Sequence, residues 1–126
     1  MKIFRIGFLG MRTANHQQMA GFLRDVLGLP SAFEKPDWAG FHLPTGKNDF
    51  VEVFGPSMQD TNFFPDTAGD SPMVAFIVDD VVSARAEIEA AGIELLSEVI
   101  WVGDNFGWFF FRAPDGNVYC LQQVPE

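Results

Sequence analysis

The sequence has few of the residues that hold metals, form disulfides or grip phosphate. It has one cysteine (Cys120), two histidines (His16 and His42) and one tyrosine. A single cysteine excludes an intrachain disulfide and any cysteine-rich metal motif. Its 8 Lys and Arg are scattered without a run against 17 Asp and Glu, for a formal net charge of −9. Nucleic acid and anionic membrane surfaces require a basic face, so both are excluded as expected partners. The charge favours solubility and neutral or cationic ligands. No apolar stretch reaches the roughly 20 residues of a membrane helix. Met1 runs into Lys2-Ile3-Phe4-Arg5-Ile6, without the length or small-residue cleavage site of a signal peptide, so the expected location is cytoplasmic.

What is abundant is aromatic. A chain of 126 residues, 48% hydrophobic, is expected to make one compact domain, yet it carries 14 Phe and 3 Trp. That is more rings than one small core normally needs, and some must serve elsewhere.

Ile3 to Met11 reads as a strand. Asn15, with Gln18 three positions on, reads as a helix cap of the capping-box type. Met19, Phe22, Leu23, Val26 and Leu27 then recur at helical spacing, which predicts a buried face, and Gly28 is a natural stop. Pro30 and Pro36 read as a connection. Trp38 to Leu43 and Asp49 to Phe54 read as strands around the turn Pro44-Thr45-Gly46-Lys47-Asn48. The stretch 56–72 is turn-rich and reads as a linker, although its Phe63-Phe64 pair requires burial. Met73 to Val78 is a strand. Asp79-Asp80 starts a second helix with Ala84, Ile88 and Ala91 on one face, and Gly92 ends it. Ile93 to Val102 contains a further strand. Trp108 to Arg112 and Val118 to Gln122 form a hairpin around Ala113-Pro114-Asp115-Gly116-Asn117.

The order strand, helix, strands occurs twice. From Phe8 to Gly28 is 20 positions and from Met73 to Gly92 is 19, so the chain reads as an internal repeat. The expected organisation is a first module at 1–55, a linker at 56–72 and a second module at 73–126.

Four segments, in order, resemble one superfamily. Phe22-Leu23-Arg24-Asp25-Val26-Leu27-Gly28-Leu29 resembles its first-helix signature, and Asp49-Phe50-Val51-Glu52-Val53-Phe54-Gly55 the end of its first module. Met73-Val74-Ala75-Phe76-Ile77-Val78-Asp79-Asp80-Val81 resembles the opening of its second module. Phe111-Arg112-Ala113-Pro114-Asp115-Gly116-Asn117-Val118-Tyr119 resembles its closing hairpin. The family is the vicinal-oxygen-chelate superfamily of glyoxalases, bleomycin-resistance proteins and dioxygenases. The resemblance implies an α+β fold of two βαβββ modules, a curved mixed sheet with helices on the convex side and a cavity on the concave side.

In the family's metalloenzymes four cavity-facing positions hold a divalent metal, and the resemblance puts these at Phe8, Glu52, Met73 and Cys120. Only Glu52 is a normal ligand for a hard cation. Phe8 has no donor, and Met73 is a soft thioether. One carboxylate and one thiol do not make the usual three- or four-ligand site. His16, in the first turn of a helix, and His42, on a strand, read as surface or pocket-wall residues. No metal and no other cofactor is expected.

Strand alternation spreads the reading outwards. A wall of Phe8, Phe50, Phe54, Trp108 and Phe110 is expected on the cavity side, with polar points at Arg12, His42, Glu52 and Gln122 and with Cys120 beside them. Val51, Val53, Val74, Phe76, Tyr119 and Leu121 would pack under the helices. Apolar walls with a few placed polar groups describe a small-molecule site. Glu52 either has its pKa raised by burial or lowered by a partner such as Arg12. Cys120 reads as buried and inert.

The expected function is metal-free binding of a large aromatic natural product or antibiotic, as in the resistance-by-binding branch that the chain resembles. The alternative is a glyoxalase-like lyase, isomerase or dioxygenase with an atypical metal, or with Glu52 as general base. A ligand-free partner or sensor domain is the third reading. A homodimer is expected, because the rings would otherwise lie open.

Overall fold

The computed structural model describes residues 1–58 and 72–125. Most of the 56–72 stretch, including Phe63-Phe64, lies outside the described residues. The chain divides into two compact units, Phe8–Pro72 and Met1–Gly7 with Met73–Glu126. The division falls inside the first strand, whose opening residues belong with the second half of the chain.

In the first unit, β1 (Ile3–Arg12) leads to α1 (His16–Gly21), and β2 (Ser31–Lys35), β3 (Trp38–His42) and β4 (Phe50–Phe54) follow. The order across the sheet is β2-β3-β4-β1, with β1 parallel to β4 and the other pairs antiparallel. Alternation along β3 and β4 sends Ala39, Phe41, Val51 and Val53 to one face, where they bury Ala20 and Leu23 of the helical segment.

That segment differs from its reading in three ways. Asn15 stands at the cap position, but its side chain caps nothing, and its own N–H is taken by Thr13 Oγ1 at 3.2 Å. After one and a half turns the helix widens into a π-turn over Phe22–Val26, with Leu27 N–H donating to the Phe22 carbonyl at 3.0 Å. The extra residue per turn rotates the following side chains. Leu23 is buried, but Phe22, Val26 and Leu27 are 42%, 70% and 55% exposed, so the buried face anticipated from spacing is cut short. Gly28 ends the segment at φ +71°, as expected. The Pro30–Pro36 connection holds an edge strand, β2, whose single ring and charged end gave no alternating signal.

The second unit repeats the plan. β5 (Met73–Val78) leads to α2 (Val81–Ala90), then β6 (Glu94–Leu95), β7 (Ile100–Val102), β8 (Phe106–Arg112) and β9 (Val118–Gln123). β5 is parallel to β9; β8 pairs antiparallel with β9 and, on its other edge, with β6 and β7 in turn. Asp80 caps α2, accepting from the N–H groups of Val82 at 3.0 Å and Ser83 at 3.1 Å. Val81 and Ala84 of α2 pack on Phe109, Phe111 and Leu121, with Phe76, Ile88 and Tyr119 at the margin. Ala91, expected on the same helix face, is exposed beyond the last turn.

The first unit is thus a βαβββ module, and the second has the same order with its second strand divided into β6 and β7; in each the first and last strands are parallel, and the α+β class holds. Among the described residues no helix is long and apolar enough to cross a membrane.

Candidate functional site

The sheet face of the first module away from α1 is a small grid set by strand register. One row across the sheet is Lys35, Trp38, Phe54 and Arg12; the next is Phe33, Gly40, Glu52 and Gly10; the third is His42, Phe50 and Phe8. Glu52 therefore occupies the middle of the face, with a glycine beside it on each neighbouring strand. Those glycines are required by the rings. A Cβ on Gly10 would run into the ring of Phe8 and come within 3.3 Å of Phe54, and one on Gly40 would lie 2.5 Å from the ring of Phe33. The rings fill the places the glycines leave and flank the Glu52 side chain.

Glu52 is 8% exposed. Burial pushes its carboxyl pKa up to about 8, and the neighbouring Trp38 side chain offsets only part of this. Of the alternatives open from sequence, the raised one holds. Arg12 lies instead over the Phe54 ring, its guanidinium carbon 5.3 Å from the centroid. Lys35 Nζ stands 5.1 Å over the Trp38 ring, Phe33 meets Trp38 edge-on at 4.7 Å, and the His42 and Phe50 rings are 5.2 Å apart. Phe8 and Phe54 are buried, while Arg12, Phe33, Trp38, His42 and Phe50 are half-buried.

The corresponding face of the second module has a similar register and a different filling. Trp108 pairs with Gln122 and Phe110 with Cys120, and on β9's other side Ala75 pairs with Cys120 and Ile77 with Gln122. Met73, Ala75, Trp108, Phe110 and Cys120 are buried, and Gln122 is half-buried. Burial raises the Cys120 thiol pKa well above its ordinary value, so it stays a thiol. Of the rings anticipated as an open wall, Phe8, Phe54, Trp108 and Phe110 are buried and Phe50 is half-buried. The exposed large apolar residues lie elsewhere, among them Ile3, Phe4, Ile6, Trp101 and Val102.

His16 sits apart from the grid, on the α1 side. Its Nε2 is 2.9 Å from the Pro36 carbonyl, and its ring lies over Gly55, where a Cβ would come within 2.8 Å. It has a packing role.

The resemblance puts the family's four ligand positions at Phe8, Glu52, Met73 and Cys120. Phe8 stands two residues before Gly10, the parallel partner of Glu52, and Met73 stands two before Ala75, the parallel partner of Cys120. The donor set does not fit a metal. Phe8 offers no donor, Met73 is a buried thioether and Cys120 a buried thiol, which leaves Glu52 as the one hard-cation ligand of the four. Among the described residues no three His, Cys, Asp or Glu side chains are grouped to hold an ion.

Sequence reading placed Phe8, Arg12, His42, Phe50, Glu52 and Phe54 on this face but missed Phe33 and Trp38. Phe33 was hidden because β2 was read as a connection. The partnership of Trp38 with Glu52 had a usable signal: Trp38, Gly40 and His42 alternate on one strand, and glycines inside two strands mark close approach.

The sequence pattern of the Glyoxalase/Bleomycin resistance protein/Dioxygenase superfamily matches residues 5–121, and the chain belongs to that family. Among curated proteins, none matches the sequence. Solved structures share the fold. The Mn(II)-bound glyoxalase from Novosphingobium aromaticivorans is 22% identical at a TM-score of 0.73, over 96% of this chain and 39% of its own. This chain thus spans well under half of that glyoxalase. A methylmalonyl-CoA epimerase from Streptomyces coelicolor is 17% identical at a TM-score of 0.73, over 99% of this chain and 100% of its own. A superfamily member from Vibrio splendidus 12B01 is 19% identical at 0.67, over 94% of this chain and 97% of its own.

Proposed function

We propose that this chain binds a small, largely aromatic molecule without metal and releases it unchanged, a sequestering role of the kind named by the bleomycin-resistance part of its family. The observation that supports this most is the setting of Glu52: one protonatable group in the middle of a face of rings, with half-buried Trp38, His42 and Phe50 around it. Ring contact supplies affinity and a few polar groups fix orientation. On the second module's own face, Trp108, paired with Gln122, is proposed separately as a ring contact. Titration with planar aromatic compounds should quench tryptophan emission saturably. Trp108→Ala should weaken binding by at least about 1 kcal/mol, the low end for losing an aromatic stack. An unchanged dissociation constant would remove Trp108 from the site.

A second reading rests on a specific observation, the Glu52 pKa of about 8. A base poised near neutrality suits proton abstraction beside a carbonyl. Family members include an epimerase and a glyoxalase. If a bound carbonyl compound takes up deuterium at its α-carbon in heavy water, and Glu52→Gln abolishes the uptake, this reading displaces the first.

A further inference from the structure

We infer that the corner between Trp38 and Phe33, on the hairpin of β2 and β3, is a site for the quaternary ammonium group of a small molecule, and that the Lys35 ammonium is its resident occupant. The inference goes beyond the binding of aromatic compounds proposed above and does not rest on it.

Three observations carry it. The first is the resident cation. Lys35 lies opposite Trp38 in the hairpin register and holds its ammonium nitrogen 5.1 Å over the indole. Among the described residues Lys35 makes no ion pair, although carboxylates stand close by in sequence. Glu34 takes Arg24 at 2.6 Å, and Asp37 takes the Ser57 hydroxyl at 3.1 Å. The ring alone meets the charge, and an ammonium over an indole face is the contact by which aromatic corners take quaternary cations. The second observation is the other wall. The Phe33 ring stands at 70° to Trp38 with centroids 4.7 Å apart, in the space that Gly40 leaves for it. The third is that the occupant can be displaced. Phe54, the partner of Trp38 on β4, also lies beneath a cation, but Arg12 is half-buried, whereas Lys35 is exposed on a flexible four-carbon stem. A primary ammonium gives up water hydrogen bonds when it lies on a ring. A quaternary ammonium has no N–H to satisfy and loses less, so it displaces the lysine. The net charge of −9 draws cations to the chain. The other exposed residues of β2, Ser31 and Glu34, are polar and offer a bilayer no apolar anchor, which favours a free compound over a lipid headgroup.

The test uses choline and its neutral isostere 3,3-dimethyl-1-butanol, titrated into the full chain carrying fluorotryptophan, with the Trp38 fluorine resonance assigned by Trp38→Phe. Choline should move that resonance saturably and bind at least about three-fold more tightly than the alcohol. Lys35→Ala, which removes the occupant, should tighten choline binding by about two- to five-fold, the worth of an exposed cation–ring contact. Phe33→Leu, which removes a wall, should weaken it by about the same factor. Circular dichroism checks that both variants fold. No saturable shift at Trp38, equal affinity for the two probes, or choline affinity that does not rise in folded Lys35→Ala overturns the site. Affinity indifferent to Phe33→Leu overturns the corner. Phosphatidylcholine vesicles carry the same group on a surface and should leave the protein in solution; pelleting that Phe33→Leu abolishes would make the ligand a headgroup and overturn the free compound. These outcomes leave the aromatic titration proposed above untouched, and a failure of that titration leaves this site standing.

Discussion

The two modules share one plan but treat its central position differently. On β4 that position is Glu52, with Gly10 and Gly40 on either side; on β9 it is Cys120, with Ala75 and Phe110 on either side. In the second module the neighbours supply side chains of their own, and Ala75, Phe110 and Cys120 close into a buried apolar layer. In the first module the neighbours supply nothing, and rings lean in to frame a carboxyl. Duplication of a βαβββ unit provides two equivalent faces, and here one is packed as structure while the other keeps a polar centre. The helix-side faces, by contrast, are alike, with Phe41 in one and Phe109 in the other fully buried beneath a helical segment.

The largest effects should come where the modules are alike. Phe41→Ala and Phe109→Ala each remove a fully buried ring and should each cost about 3–5 kcal/mol in denaturant unfolding. A loss near zero in one of them would show that its module's core is not formed as described.

Next comes the charge of Glu52, where the modules differ. Its folded pKa of about 8 lies above the ordinary 4.5, so the folded state binds the proton more tightly than the unfolded one. Stability is then fully present below the ordinary value and is lost as pH rises towards the folded one, by about 2–4 kcal/mol between pH 5 and pH 8. Glu52→Gln should flatten that slope and be the more stable protein at pH 8. A wild type whose melting temperature rises over this interval, with Glu52→Gln melting lower at pH 8, would mean that the carboxylate is stabilised by a partner.

A smaller effect separates the two glycines. Gly10→Ala drives a methyl into Phe8 and Phe54, both buried, and should cost about 1–3 kcal/mol. Gly40→Ala meets only Phe33, half-buried on the edge strand β2, where the ring has room to swing. It should therefore cost less in the same unfolding experiment, and the reverse order would show that Phe33 is the more firmly held ring.

Most of this architecture was legible in the sequence because alternation and turn residues wrote it there. Val51 and Val53 under the first helical segment, Tyr119 and Leu121 under the second, and the glycine stops at 28 and 92 follow from period and chirality alone. The misses have physical causes. The π-turn at Phe22–Val26 inserts a residue that spacing cannot reveal, so Val26 and Leu27 were counted as core. β2 is short, lies at an edge and is bounded by prolines, which imitates a loop. At the site, the position of Glu52 was readable, but its protonation was not. That depends on Trp38 and on rings brought across three strands, and on Arg12 turning to Phe54 rather than to the carboxyl.

The central claim is that the face around Glu52 does not hold a metal. Elemental analysis of native protein purified without chelator tests it most directly. The account expects manganese, iron, nickel and zinc each far below one per chain, and the same content in wild type and Glu52→Gln. About one equivalent of any of these in the wild type, lost in Glu52→Gln, would contradict it.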